Sequence, residues 1–119
     1  MIRRRKMAHQ FQRQLLIDAK LMTVVDKLRS MGSILHYQFM SEQPSQNGGA
    51  IFRFEHGVSF SSWGEIITIT LTPYGPAQCV ALVCSECMVP TQIIDWGKNN
   101  KNVSEILQFM TSGLRSRDF

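Results

Sequence analysis

The stretch EIITITLTPYGPAQCVALVCSEC, residues 65–87, decides the fold. In its first part, Ile67, Ile69 and Leu71 alternate with threonines, which is typical of a strand with one buried face. The central PYGPA, residues 73–77, has the composition of a tight turn. The apolar run after it returns as a second strand. Because a connection this short joins neighbouring antiparallel strands, the stretch predicts a β-hairpin.

Two more strands are predicted ahead of this hairpin. SILHYQFM, residues 33–40, alternates Leu35, Tyr37 and Phe39 with polar residues. SEQPSQNGG, residues 41–49, is a loop by composition, and AIFRFEHGVSF, residues 50–60, alternates again. Four strands with short connections and no crossover helix predict an antiparallel meander.

Helical spacing appears on both sides of the strands. Apolar residues recur at this spacing from Phe11 to Met31, and Gly32 is a natural residue to end a helix. A second apolar stripe follows the strands at Val103, Ile106, Leu107, Met110 and Leu114. Two amphipathic helices can cover only one face of a sheet. The sequence therefore predicts an α+β two-layer sandwich, α-β-β-β-β-α, in which a four-stranded antiparallel meander has an N-terminal and a C-terminal helix on one face.

The basic residues are concentrated at the N-terminus. The chain of 119 residues has 13 basic and nine acidic side chains, for a formal charge of +4. Arg3, Arg4, Arg5 and Lys6 account for this excess, so the chain after Lys6 is formally neutral. We therefore predict a basic flexible tail over residues 1–10 and a single α+β domain over 11–119. Contact with nucleic acid or anionic lipid is expected only through the four basic residues of this tail.

The remaining composition points to a cytoplasmic protein. No apolar run approaches the roughly 20 residues of a membrane span, and polar residues interrupt the N-terminal stretch where a signal peptide would be continuous. The chain has three cysteines, Cys79, Cys84 and Cys87. An odd number argues against a disulfide framework and fits a reducing compartment. Although Cys84 and Cys87 have C-x-x-C spacing, strand residues three apart point to opposite faces. We predict free thiols, with no metal site and no cofactor.

The stretch TQIIDWGKNNKNVSEIL, residues 91–107, starts the second helix and is the most polar-aromatic part of the chain. One interpretation begins the helix at Asp95, whose carboxylate would cap it, and directs Asn99 inward. The other uses Asn102 as the cap, with Glu105 completing a capping-box-like pair. Both starts remain open from the sequence alone.

An inward Asn99 needs a hydrogen-bond partner, because an unpaired buried amide costs about 1–3 kcal/mol. The segment SFSSWGE, residues 59–65, is comparably polar and aromatic, and we expect it to meet the start of the second helix. Together the two segments form a candidate ligand-binding or structural cluster. Its members are Ser62, Trp63, Glu65, Gln92, Asp95, Trp96, Lys98 and Asn99.

These motifs also resemble a family of small bacterial domains of unknown function. The S-W-G-E at 62–65 and the T-Q-x-x-D-W-G-K-N at 91–99 match the central and downstream motifs of that family. The likeness covers about residues 18–114. It implies the same arrangement of a helix, a meander and a helix, and it implies no activity.

The sequence predicts a non-enzymatic interaction or small-ligand-binding module, and no residue is assigned a catalytic role. We expect the exposed sheet face to form a homodimer or to bind a protein partner. The alternative is an enzyme in which Glu65 and Asp95 act as a carboxylate pair near Lys98. The residues expected on the exposed face are His36, Gln38, Arg53, Glu55, Thr68, Thr70 and Val83.

Overall fold

A computed structural model of the chain describes residues 10–57, 64–88 and 97–119. The described residues form strands and helices around one antiparallel sheet, which confirms the α+β class. In chain order they are β1 (Gln10–Ile17), α1 (Leu21–Leu35), β2 (Gln38–Pro44), a 3₁₀ turn (Gln46–Gly48), β3 (Ala50–His56), β4 (Glu65–Pro73), β5 (Cys79–Cys87), α2 (Lys98–Thr111) and β6 (Ser116–Asp118). The basic residues 3–6 lie outside this part of the chain.

The sheet has the strand order β2-β3-β4-β5-β1-β6, and each neighbouring pair is antiparallel. Strands β2 to β5 follow one another as the predicted meander, and the hairpin of residues 65–87 sets Ile69 opposite Val83. The predicted number of four strands is wrong. Strands β1 and β6 extend the sheet beyond β5 to a total of six.

The N-terminal half of the helix predicted over Phe11–Met31 is a strand. Strand β1 pairs with β5 along its whole length, from Gln10 opposite Glu86 to Ile17 opposite Cys79. Because Leu15 and Ile17 are two residues apart, both reach the core from an extended chain. Apolar residues spaced for a helix thus also suit a strand, and the free edge of β5 supplies a partner that local spacing does not reveal.

Helix α1 continues past its predicted end at Met31 to Leu35. The left-handed residue at its C-terminus is His36, with φ of 64°, so His36 is not on the sheet. Gly32 is needed for close packing instead, since a Cβ there would lie 2.7 Å from the backbone oxygen of Tyr37. The strand predicted over 33–40 therefore begins only at Gln38.

Helix α2 begins at Lys98, with Gly97 at the N-cap position in a left-handed conformation (φ 77°). The predicted start at Asn102 is wrong, because Asn102 is buried within the helix and does not cap it. The other predicted cap, Asp95, lies outside the described residues.

Inward-facing residues of the strands and both helices form one apolar cluster. Val83 belongs to this cluster and is fully buried, so its prediction as a surface residue is wrong. Burying a side chain such as Phe52 or Ile106 contributes about 1.5–3 kcal/mol. Neither described helix has the length and apolarity that a bilayer crossing requires.

Candidate functional site

One end of the interior is polar, although the same elements build the apolar core. Strand β4 begins with Glu65, strand β5 carries Ser85 near its end, and helix α2 starts with two inward asparagines. The four polar side chains are between 0% and 2% exposed. We call this group the polar end. Its members are Glu65, Ser85, Asn99 and Asn102, together with Tyr37 and His56, which contact them, and Glu105, which contacts Tyr37.

Glu65 lies at the centre of the polar end. Its Oε1 accepts a hydrogen bond from Asn102 Nδ2 at 2.9 Å and lies 3.3 Å from His56 Nδ1. The hairpin places His56 and Glu65 directly opposite each other, at the end of the β3–β4 ladder. The second oxygen, Oε2, is buried and has no hydrogen-bond partner in the described part of the chain.

Two opposing effects set the pKa of Glu65. Burial raises it, whereas hydrogen bonds from His56 and Asn102 and the positive charge of His56 and Lys98 lower it, and the net pKa lies below the ordinary value. Glu65 is therefore a carboxylate at neutral pH. Because a carboxylate can only accept, Nδ1 is the His56 nitrogen that carries the proton in this contact.

Asn102 links the other members of the polar end. Its Nδ2 donates to Ser85 Oγ at 3.1 Å as well as to Glu65, and its Oδ1 lies 3.3 Å from the hydroxyl of Tyr37. Ser85 Oγ in turn donates to Asn99 Oδ1 at 2.7 Å. This chain of contacts holds the two amides and the serine in one arrangement.

Tyr37 closes the polar end from the side of helix α1. Its hydroxyl donates to Glu105 Oε1 at 2.8 Å, and its ring stacks on His56 with centroids 4.2 Å apart and planes at 18°. Burial and the neighbouring carboxylate of Glu105 raise the pKa of Tyr37. The hydroxyl thus stays protonated and available as a donor, while the stacking orients His56 against Glu65.

The structure describes three of the eight predicted site residues. Glu65 and Asn99 lie in the polar end, and Asn99 is buried, as its position on the helical stripe predicts. Lys98 acts on Glu65 through its charge. Outside the described residues are Ser62, Trp63, Gln92, Asp95 and Trp96, so their predicted roles stay predictions.

Sequence reasoning missed several members of the polar end. His56 could have been found from the hairpin, since residues that flank one connection face each other across it. Asn102 lies three residues after Asn99 and so on the same helix face. Tyr37 and Ser85 left no such signal, because only the packing of the two layers brings them together.

The cysteines lie on both faces of β5. Cys79 and Cys87 are buried and Cys84 is half-buried, and none of the three is in a disulfide bond. The burial pattern of the strand places Cys84 and Cys87 on opposite faces, as predicted. Burial raises the pKa of Cys79 to about 11. Within residues 10–57, 64–88 and 97–119, no three His, Cys, Asp or Glu side chains are grouped to hold a metal ion.

Comparison with known proteins adds no assignment. No protein-family model matches this chain, and no curated protein matches it. The resemblance to a bacterial family of unknown function therefore stays a prediction.

Proposed function

We propose that this chain is a non-enzymatic binding module whose ligand site is the polar end of the interior. In this proposal Glu65 receives a positively charged N–H group, an ammonium or a guanidinium, of a small ligand. The observation that carries the proposal is the buried oxygen Glu65 Oε2, which lacks a partner among the described residues.

An unpaired buried carboxylate oxygen is costly. Leaving a buried polar atom without a hydrogen bond costs about 1–3 kcal/mol, and more when the group is charged, so native structures hold few of them. The other oxygen of Glu65 has two contacts. A chain that keeps one oxygen of a carboxylate satisfied and the other free is arranged to accept one more donor.

Gly57 lies against the Glu65 carboxylate and has no side chain to cover it. A Cβ at Gly57 would lie 3.3 Å from Oε1 and 3.6 Å from Oε2 of Glu65, so a side chain there would crowd the carboxylate. Gly57 also has φ of 79°, a conformation that favours glycine. The residue itself is exposed, so the carboxylate lies close beneath the surface.

Charge at the polar end favours a cation over a neutral donor. Besides His56, Glu65 and Glu105 supply two carboxylates and Lys98 one ammonium, so these three side chains have a formal charge of −1. Hydrogen bonds between a charged N–H and a carboxylate are about twice as strong as neutral ones. Burial of Glu65 strengthens such a bond further, since water does not screen it.

Two measurements test the proposal. Native mass spectrometry of freshly purified protein is expected to show a small molecule bound to the wild type and absent from Glu65→Gln, which keeps the side chain's shape but removes its charge. In an NMR titration, n-butylammonium is expected to shift the amide signals of His56, Gly57 and Glu65, whereas n-butanol leaves them unchanged.

Glu55→Gln is the matched control for this titration, because Glu55 neighbours His56 in β3 but lies on the opposite face of the sheet. It is expected to bind n-butylammonium as the wild type does. Equal binding by Glu65→Gln and the wild type, or no bound molecule and no ammonium-dependent shift, would reject the proposal. The polar end would then serve only to join the two layers.

A second candidate is catalysis. The contact between His56 Nδ1 and Glu65 Oε1 is the kind that orients a histidine for proton transfer, with Nε2 left to act as the base. This use differs from the predicted pairing of Glu65 with Asp95 near Lys98, which stays a prediction because Asp95 is not described. If His56 is catalytic, the protein converts a substrate and His56→Gln abolishes this turnover. A module that only binds its ligand shows no turnover.

A further inference from the structure

The face of the sheet turned away from the core is partly apolar. Register places its residues in rows across the strands, and no described helix or strand packs on it; the core cluster contains only residues of the other face. Most of these outer residues are half-buried by their neighbours. The aliphatic members of this outer face are the half-buried Ile51, Ile66, Val80 and Leu82 and the buried Leu16, and threonines 68, 70 and 72 lie between them.

The charges of the outer face are separated along the strands. One row runs from Glu55 through Ile66 to Glu86, and it forms an acidic end. The row at the opposite end runs from Val80 through Leu16 to Arg117. Asp18 and Arg115 lie beside Arg117, so this end has a formal charge of +1. Between Val80 and Glu86 the strand rises by roughly 20 Å, so the acidic row and Arg117 lie at opposite ends of the face.

The centre of the outer face separates these two ends. Thr70 lies there between Ile51 and Leu82, and Thr68 lies beside Arg53. The centre thus combines aliphatic and hydroxyl groups with one cation, Arg53.

We propose that a second copy of this chain packs on the outer face, with its strands running in the opposite direction. A two-fold axis across the strands sets the acidic end of each copy over the end of its partner that carries Arg117. An axis along the strands would instead set the acidic ends against each other, and like charges at an interface are costly. The charges of the face therefore favour a second copy as the occupant. They also favour the orientation in which the two-fold axis runs across the strands.

Sedimentation velocity and light scattering over a dilution series in reducing buffer test this inference. The wild type is expected to shift from dimer to monomer on dilution. Thr70→Arg sets two cations near the two-fold axis and is expected to leave only monomer, with an unchanged circular dichroism spectrum. Gln108→Arg adds the same charge on the exposed side of α2 and is expected to dimerise as the wild type does.

A charge swap tests the orientation separately. Arg117→Glu makes both ends acidic and is expected to weaken the dimer roughly tenfold. Adding Glu55→Arg and Glu86→Arg to this variant makes the other end basic, so opposite ends are restored and most of the affinity is expected to return. A monomer at every concentration, or a dimer that Thr70→Arg leaves intact, would overturn the inference. A dimer that Arg117→Glu leaves unchanged would overturn the proposed orientation.

Discussion

The interior between the sheet and the helices has an apolar half and a polar half, and the same elements build both. Strand β4 begins with the inward Glu65, and its next inward residues are Ile67 and Ile69. On β5 the inward Val83 is followed by Ser85. The alternation continues without interruption while the residue type changes, so backbone geometry is the same in both halves and only the chemistry differs.

This difference separates two kinds of stabilising contact. Apolar contacts are non-directional, and their contribution grows with the area removed from water. Polar contacts depend on each partner, and one missing donor leaves a buried acceptor at full cost. Substitutions should therefore act through size in the apolar half and through hydrogen bonding in the polar half.

The largest effect is expected in the apolar half. Phe52 is fully buried and packs parallel to Phe54, with ring centroids 6.3 Å apart. Phe52→Ala is expected to lower the free energy of unfolding by about 3–5 kcal/mol, because it removes a large side chain and leaves a cavity. Urea denaturation measures this loss. Ile51→Ala, one residue away on the outer face, is expected to cost less than half as much, and equal losses would contradict the division into halves.

A substitution in the polar half is expected to lower the free energy of unfolding by less, partly because the side chain that it removes is smaller. Asn102→Ala takes a donor from Glu65 and from Ser85 and removes an atom that contacts the Tyr37 hydroxyl. It is expected to lower the free energy of unfolding by about 1–3 kcal/mol for the groups left unpaired. Asn100→Ala, on the exposed side of the same helix, is the control. Similar denaturation midpoints for the two variants would show that the hydrogen bonds of the polar end add no stability.

The weakest expected effect is a pH dependence of stability that comes from Glu65. Its pKa is lowered in the folded chain from the ordinary 4.5, so the unfolded chain binds the proton more readily. The resulting stabilisation is fully present above the ordinary pKa and is lost as the pH falls through the folded pKa. Urea midpoints measured downward from neutral pH are expected to fall more steeply for the wild type than for Glu65→Gln. Parallel pH profiles of the two proteins would contradict this assignment.

The meander was predictable because its signal is local. Strict alternation with tight connections marks β4 and β5, and the antiparallel order of β2 to β5 follows from the short connections between them. Strand β1 was not predictable in this way. Its apolar triplet at 15–17 suits a helix or a strand equally, and only pairing with β5 distinguishes the two. Strand β6, three residues long and exposed, has no apolar pattern to detect.

Parts of the candidate site were predictable to different degrees. Asn99 stands out because an amide interrupts an apolar helical stripe, and this spacing alone marks it as inward-facing. Glu65 was selected for its charge at the start of a strand. Its contacts with His56 and Asn102 come from three separate elements, and no local pattern reports their distance.

By itself, the sequence determined the α+β class, the meander, the buried side of β4 and of α2, and the free cysteines, because each depends on periodicity or composition within one segment. Tertiary structure alone decided that residues 10–17 extend the sheet, that Lys98 starts the second helix, and that Tyr37 stacks on His56 beside Glu65. The physical reason is that strand pairing and buried hydrogen bonds join residues far apart in the chain. Their free energy depends on which partners meet, and a local pattern does not contain that information.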